Sequence, residues 1–108
     1  MALAAVMMPI LPGKKDTWLQ MMKDMMADKA SADAIRKDAG LHERTFLQET
    51  PHGDFCILTF ESDDPEGGFA KMVANLPAGF AAAALDVHGL DVNGPMPPMP
   101  TLIYDSES

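Results

Sequence analysis

Apolar residues change their spacing several times along this chain, and each change marks an element. Ala2 to Leu11 (ALAAVMMPIL) is continuously apolar and ends in Pro12-Gly13, which predicts a first strand covered on both faces. From Lys14 to Asp28 the period becomes helical. Trp18, Met21, Met22 and Met25 fall on one side of a helical wheel, flanked by Leu19 and Met26, with Gln20, Lys23 and Asp24 largely opposite. A second helix is expected over Ala32 to Ala39, with Ser31 as N-cap, Gly40 as the left-handed residue after its end and Leu41 placed for the apolar contact of a Schellman motif. Leu41 to Thr50 and Asp54 to Glu61 then read as strands around a Pro51-His52-Gly53 turn, too closely joined to be anything but antiparallel neighbours. Asp63-Asp64-Pro65-Glu66 is a helix-start signal. The helix it opens carries Phe69, Met72, Val73 and Leu76, breaks at Pro77, and resumes from Phe80 to His88 before Gly89. Residues 91–100 form a proline-rich, extended connector, and Thr101 to Tyr104 is the expected last strand.

The predicted order is β-α-β-β-α-β in a single domain spanning 1–108. It defines an α+β, ferredoxin-like arrangement: an antiparallel sheet with its helices on one face. The hairpin tests what covers the other face. Its first strand alternates His42, Arg44, Phe46, Gln48 against Leu41, Glu43, Thr45, Leu47, Glu49, and neither set is cleanly polar. The second strand, Phe55 to Phe60, is apolar on both sides. A sheet apolar on both faces needs two covers, and a second subunit's sheet is the obvious second, so a face-to-face homodimer is expected.

Composition narrows the function. Hydrophobic residues make up 47% and charged residues 22%, as in a soluble globular domain. The 16 acidic and 8 basic residues give a net charge of −8, spread along the chain, and no cluster of Lys and Arg suits phosphate contacts, so no nucleic-acid partner is expected. One cysteine, Cys56, excludes an internal disulfide and fits a reducing compartment; within FCILTF it reads as an inert core thiol. No apolar run approaches the ~20 residues of a membrane span and Met1 to Leu11 lacks a signal peptide's basic start, so a cytoplasmic protein without a membrane partner is expected.

A family likeness runs through the turns. Pro12-Gly13-Lys14 is followed by a helix with Trp18. Then come Gly40-Leu41 with Arg44, Leu47-Gln48-Glu49-Thr50-Pro51-His52-Gly53-Asp54, Glu61 with Asp64-Pro65, and Gly89-Leu90-Asp91. This pattern resembles small bacterial proteins of the dimeric α/β-barrel superfamily, which also holds cofactor-free antibiotic-biosynthesis-type monooxygenases, haem-degrading enzymes and stress-responsive proteins. The resemblance covers most of the chain up to Asp91 and implies the fold and the dimer more than any reaction. It departs at Ala81-Ala82-Ala83-Ala84, where the pattern carries an aromatic residue.

Candidate chemistry is sparse. His42 and Arg44 share one strand face and can hold an enolate or carboxylate and move a proton; a cross-strand ion pair with Glu61 explains them equally. They are the candidate catalytic residues. His52 is explained by its turn, and His88 by the favourable place of an imidazolium at a helix C-terminus. The histidines have no metal-ligand spacing, so neither metal nor cofactor is expected. Lys14-Lys15 at a helix start can form an anion site or stand solvated. The methionines on the first helix read as adaptable core packing in preference to a copper site. A Met- and Trp-lined space between helix and sheet is where an apolar ligand would sit, and Trp18, Met22, Phe46 and Phe80 are its candidate residues. Three functions follow: a homodimer that binds a small apolar or aromatic molecule; a cofactor-independent monooxygenase or isomerase using Trp18, His42 and Arg44; and a structural dimer module without a ligand.

Overall fold

The computed structural model describes residues 2–96 and 98–107. It is an α+β fold of three strands and four helices among those residues: β1 (Ala2–Ile10), α1 (Lys15–Ala27), α2 (Lys29–Asp38), β2 (His42–Thr50), β3 (Gly53–Ser62), α3 (Pro65–Ala74) and α4 (Ala78–His88). The sheet is antiparallel in the order β1-β3-β2, so the most apolar strand is the central one. Register places Phe46 and Met7 on either side of Ile57, and Leu47 and Met8 on either side of Cys56. Because side chains alternate along a strand, this register sorts the sheet into two faces. Val6, Met8, Ile10, Cys56, Leu58 and Phe60 are buried beneath the helices and form the core with Trp18, Phe69, Met72, Val73 and Val87. Leu3, Met7, Phe46, Ile57 and Phe55 occupy the opposite face, which no helix covers. The two-face cover expected for β1 is thus present on one side only in a single chain.

Local rules explain the element ends. Leu41 N–H reaches Arg36 O at 2.9 Å and Gly40 N–H reaches Lys37 O at 3.0 Å, completing a Schellman motif with Gly40 at φ +70° and Leu41 buried. At α3, Asp64 Oδ1 accepts from Gly67 N–H at 3.1 Å and Pro65 takes the first turn, where its missing N–H costs nothing. The start of α2 differs from expectation: it begins at Lys29, Asp28 O accepts from Ala32 N–H at 3.3 Å, and Ser31 lies inside the helix. A bend of 112° separates α3 and α4 at Pro77, and no single helix is long and apolar enough to cross a membrane among the described residues.

The fourth strand is the main correction. Thr101 to Tyr104 is not in the sheet; Leu102, Ile103 and Tyr104 are 64%, 88% and 79% exposed. The prolines of the preceding connector lack the N–H that a ladder needs, so the chain cannot begin pairing before Thr101. Met96 and Met99 instead pack against the core and pin the connector, and the short apolar run beyond them flanks a surface groove beside Leu3 and Ala5 without pairing to β1.

Packing between α3 and the α2–β2 junction depends on Gly68, where an added Cβ would come within 2.6 Å of Leu41 Cδ2 and 2.9 Å of the Ala39 carbonyl oxygen. Gly68→Ala is therefore expected to lower stability by about 2 kcal/mol despite its better helix propensity, measured by urea denaturation. Gly79→Ala meets no atom and should be neutral or stabilising.

Candidate functional site

The amphipathic α1 carries Trp18, Met21, Met22 and Met25 at helical spacing toward the sheet. Between this stripe, α3, α4 and the covered face of β2–β3 lies a partly open cavity of about 90 Å³. Phe80, Ala84 and His88 of α4 close one side of it; Thr45, Cys56 and Leu58 form its floor. Trp18 is 4% exposed, and its Nε1–H is the one buried side-chain polar atom among the described residues without a hydrogen-bond partner. The indole N–H lies beside the Cys56 sulfur and eases the thiol's ionisation slightly, but the contact falls outside hydrogen-bond geometry and sulfur is a weak acceptor. Wider grooves, such as one of about 670 Å³ between α2 and β2, lie open at the surface.

A buried polar cluster forms the other wall. Arg36 Nε donates to Glu43 Oε1 at 3.1 Å and Thr45 Oγ1 to Glu43 Oε2 at 2.7 Å. The Arg36 and Glu43 side chains are only 18% and 9% exposed, so each depends on the other. Arg36 Nη1 donates to Ala32 O at 3.3 Å, while Nη2 finds only the Met25 sulfur at 3.7 Å. Burial, then the charge of Glu43, pushes the Cys56 thiol up to about 12. His88 is moved the other way: burial lowers its pKa, against the opposing effect of its bond to Pro9 O at 2.7 Å. A carbonyl only accepts, so Nδ1 carries the hydrogen and the ring is a neutral tautomer. This replaces the helix-capping imidazolium expected for His88.

Three of the four candidate ligand residues, Trp18, Met22 and Phe80, line this cavity. Phe46 does not; it stands 52% exposed on the open face of the sheet. His42 and Arg44 share that open face with it. Arg44 Nη1 donates to Glu61 Oε1 at 2.6 Å, His42 Nδ1 lies 3.9 Å from Glu61 Oε2, and all three side chains are more than a third exposed. The guanidinium holds the Glu61 carboxyl below its usual range. One substrate cannot touch both Trp18 and this pair, because the sheet separates them. Lys14 and Lys15 each have a carboxylate partner, Asp86 at 2.9 Å and Glu49 at 2.8 Å, and His52 is exposed in its turn. Arg36, Glu43 and Thr45 were not singled out from the sequence. Glu43 and Thr45 do alternate with His42 and Arg44, but nothing in the sequence shows that α2 lays Arg36 across them.

No family model, curated protein or solved structure matches this chain. The site therefore rests on its geometry.

Glu43→Ala leaves Arg36 buried without its counter-charge and is expected to cost about 3 kcal/mol by urea denaturation, whereas Glu61→Ala on the open face should change stability little. Stability should also fall with acidification from about pH 6.5. There the unfolded imidazole takes up a proton that folded His88 resists, so the unfolded state binds more protons and ΔG drops as pH falls toward the lowered folded pKa. His88→Asn, which keeps a donor for Pro9 O, should flatten that part of the pH–stability curve.

Proposed function

We propose that the protein binds a small apolar or aromatic molecule in the cavity between helices and sheet, as a homodimer of ferredoxin-like, dimeric α/β-barrel type. The observation that carries the ligand reading is the unpartnered N–H of Trp18, whose side chain lines a thioether-rich cavity between helices and sheet. An orphaned buried donor costs about 1–3 kcal/mol, which a ligand's acceptor returns. The space of about 90 Å³ is smaller than the roughly 150 Å³ cavity known to take benzene in another protein, but Met21, Met22, Met25 and Met72 are the residues best able to swing aside.

The dimer reading rests on the open face. Met7, Ile57 and Phe46 form an apolar row across all three strands, next to the row of Pro9, Phe55 and Gln48. Its charges are confined to one end, where Arg44 and Glu61 neutralise each other beside His42. An isologous contact presents the same patch from both copies, so a self-neutral, apolar face on a chain of net charge −8 suits a second copy of itself.

Ligand binding should raise Tm by about 5 °C at a ligand concentration tenfold above Kd in a screen of small apolar and aromatic compounds. Ala84→Leu, which fills the cavity from α4, should raise Tm itself and abolish the ligand response. A screen without a single saturable response sinks the ligand reading. Sedimentation equilibrium is expected to give a dimer at micromolar concentration and a folded monomer for Phe46→Glu; a wild-type monomer refutes the face-to-face pairing.

A further inference from the structure

The walls of the cavity restrict the charge of what it can hold. Arg36, Glu43, Cys56 and His88 are its titratable residues. The guanidinium is already committed to Glu43, no lysine lines the space, and the imidazole is a neutral tautomer fixed by Pro9 O. A carboxylate ligand would compete with Glu43 for the one guanidinium, whose charge Glu43 already balances, and would add a second anion beside it. A cationic ligand would meet Arg36 and a carboxylate already taken by two donors. The protein's own groups report the same bias in both directions. Burial and Glu43 hold the Cys56 thiol protonated, with a pKa of about 12, and burial holds His88 unprotonated. Both signs of charge are disfavoured in one place.

Hydrogen bonding adds the second restriction. Trp18 Nε1–H has no acceptor and Arg36 Nη2 has only a thioether, while the unprotonated Nε2 of His88 is the ring nitrogen left to accept a hydrogen, so an oxygen that can accept, and in a hydroxyl also donate, fits the wall. The complement of a wall whose charges cancel, lined by aromatic and thioether surface, is an uncharged, flat, apolar molecule with one exposed oxygen.

We infer that this cavity, accepted as the ligand site proposed above, selects an uncharged aromatic molecule carrying one hydroxyl or carbonyl oxygen, of which phenol is the simplest, through a hydrogen bond from Trp18 Nε1. Trp18 is the chain's one tryptophan, so its indole N–H gives a single, assignable resonance in a ¹⁵N–¹H correlation spectrum. Three probes of one size class separate the possibilities: phenol, toluene, in which a methyl replaces the hydroxyl, and benzoate, which adds a negative charge. The expected result is a saturable downfield shift of the indole N–H with phenol, binding of phenol about five- to tenfold tighter than toluene, and weaker binding of benzoate than of either. Trp18→Phe should bind phenol and toluene alike; should that variant not fold, the wild-type ratio and the indole shift decide. Toluene binding as tightly as phenol, or benzoate binding more tightly than phenol, overturns the selectivity while leaving the cavity as a ligand site. Failure of all three probes to perturb the indole resonance overturns both.

Discussion

Everything in this molecule depends on the two-sided pairing of β3. As the central strand it satisfies its backbone on both edges, through β1 and through β2, and its side chains alternate between two environments with a period of two. Cys56, Leu58 and Phe60 go under the helices; Phe55, Ile57 and Thr59 go to the open face. A one-residue slip would exchange the two sets, carrying the fully buried Phe60 to the surface. The same register assigns Glu43 and Thr45 to the helix-covered face and His42, Arg44 and Phe46 to the open one, so it decides which residues reach the cavity beside Trp18.

Much of the frame was readable because it is set locally. The Pro51-His52 turn forces the hairpin, Gly40 and Leu41 close a Schellman motif, and Asp64-Pro65 starts a helix whatever lies around it. Candidate ligand residues on helices were placed well for the same reason: the wheel that orients Trp18 and Met22 toward the sheet needs no knowledge of the partner strand. Phe46 shows where that ends. On a strand with two mixed faces, composition does not say which side the helices take. The Arg36–Glu43 pair was hidden more deeply, because it joins α2 to the strand that follows it and depends on how the turn at Gly40 aims the chain. The short apolar run at Thr101 to Tyr104 pointed to a strand, whereas the proline-rich connector and the docking of Met96 and Met99 govern the tail's path.

Charge placement links the cavity and the open face. The chain carries a net charge of −8, yet both surfaces proposed for contact are close to neutral. Arg36 balances Glu43 within the cavity wall and Arg44 balances Glu61 at the end of the open face. The remaining acid stands mainly on helix exteriors and in turns, at residues such as Asp24, Asp33, Glu66 and Asp86, where water screens it. The two pairs differ in what they can bear. Arg44–Glu61 is solvated and can be separated at little cost, so a partner sheet is free to rearrange it. Arg36–Glu43 is buried, and separating it would leave a charge without water. A ligand that entered by breaking that pair would work against its own binding. The pair is therefore a fixed wall, and the adaptable parts of the site are the methionines and the free indole N–H of Trp18.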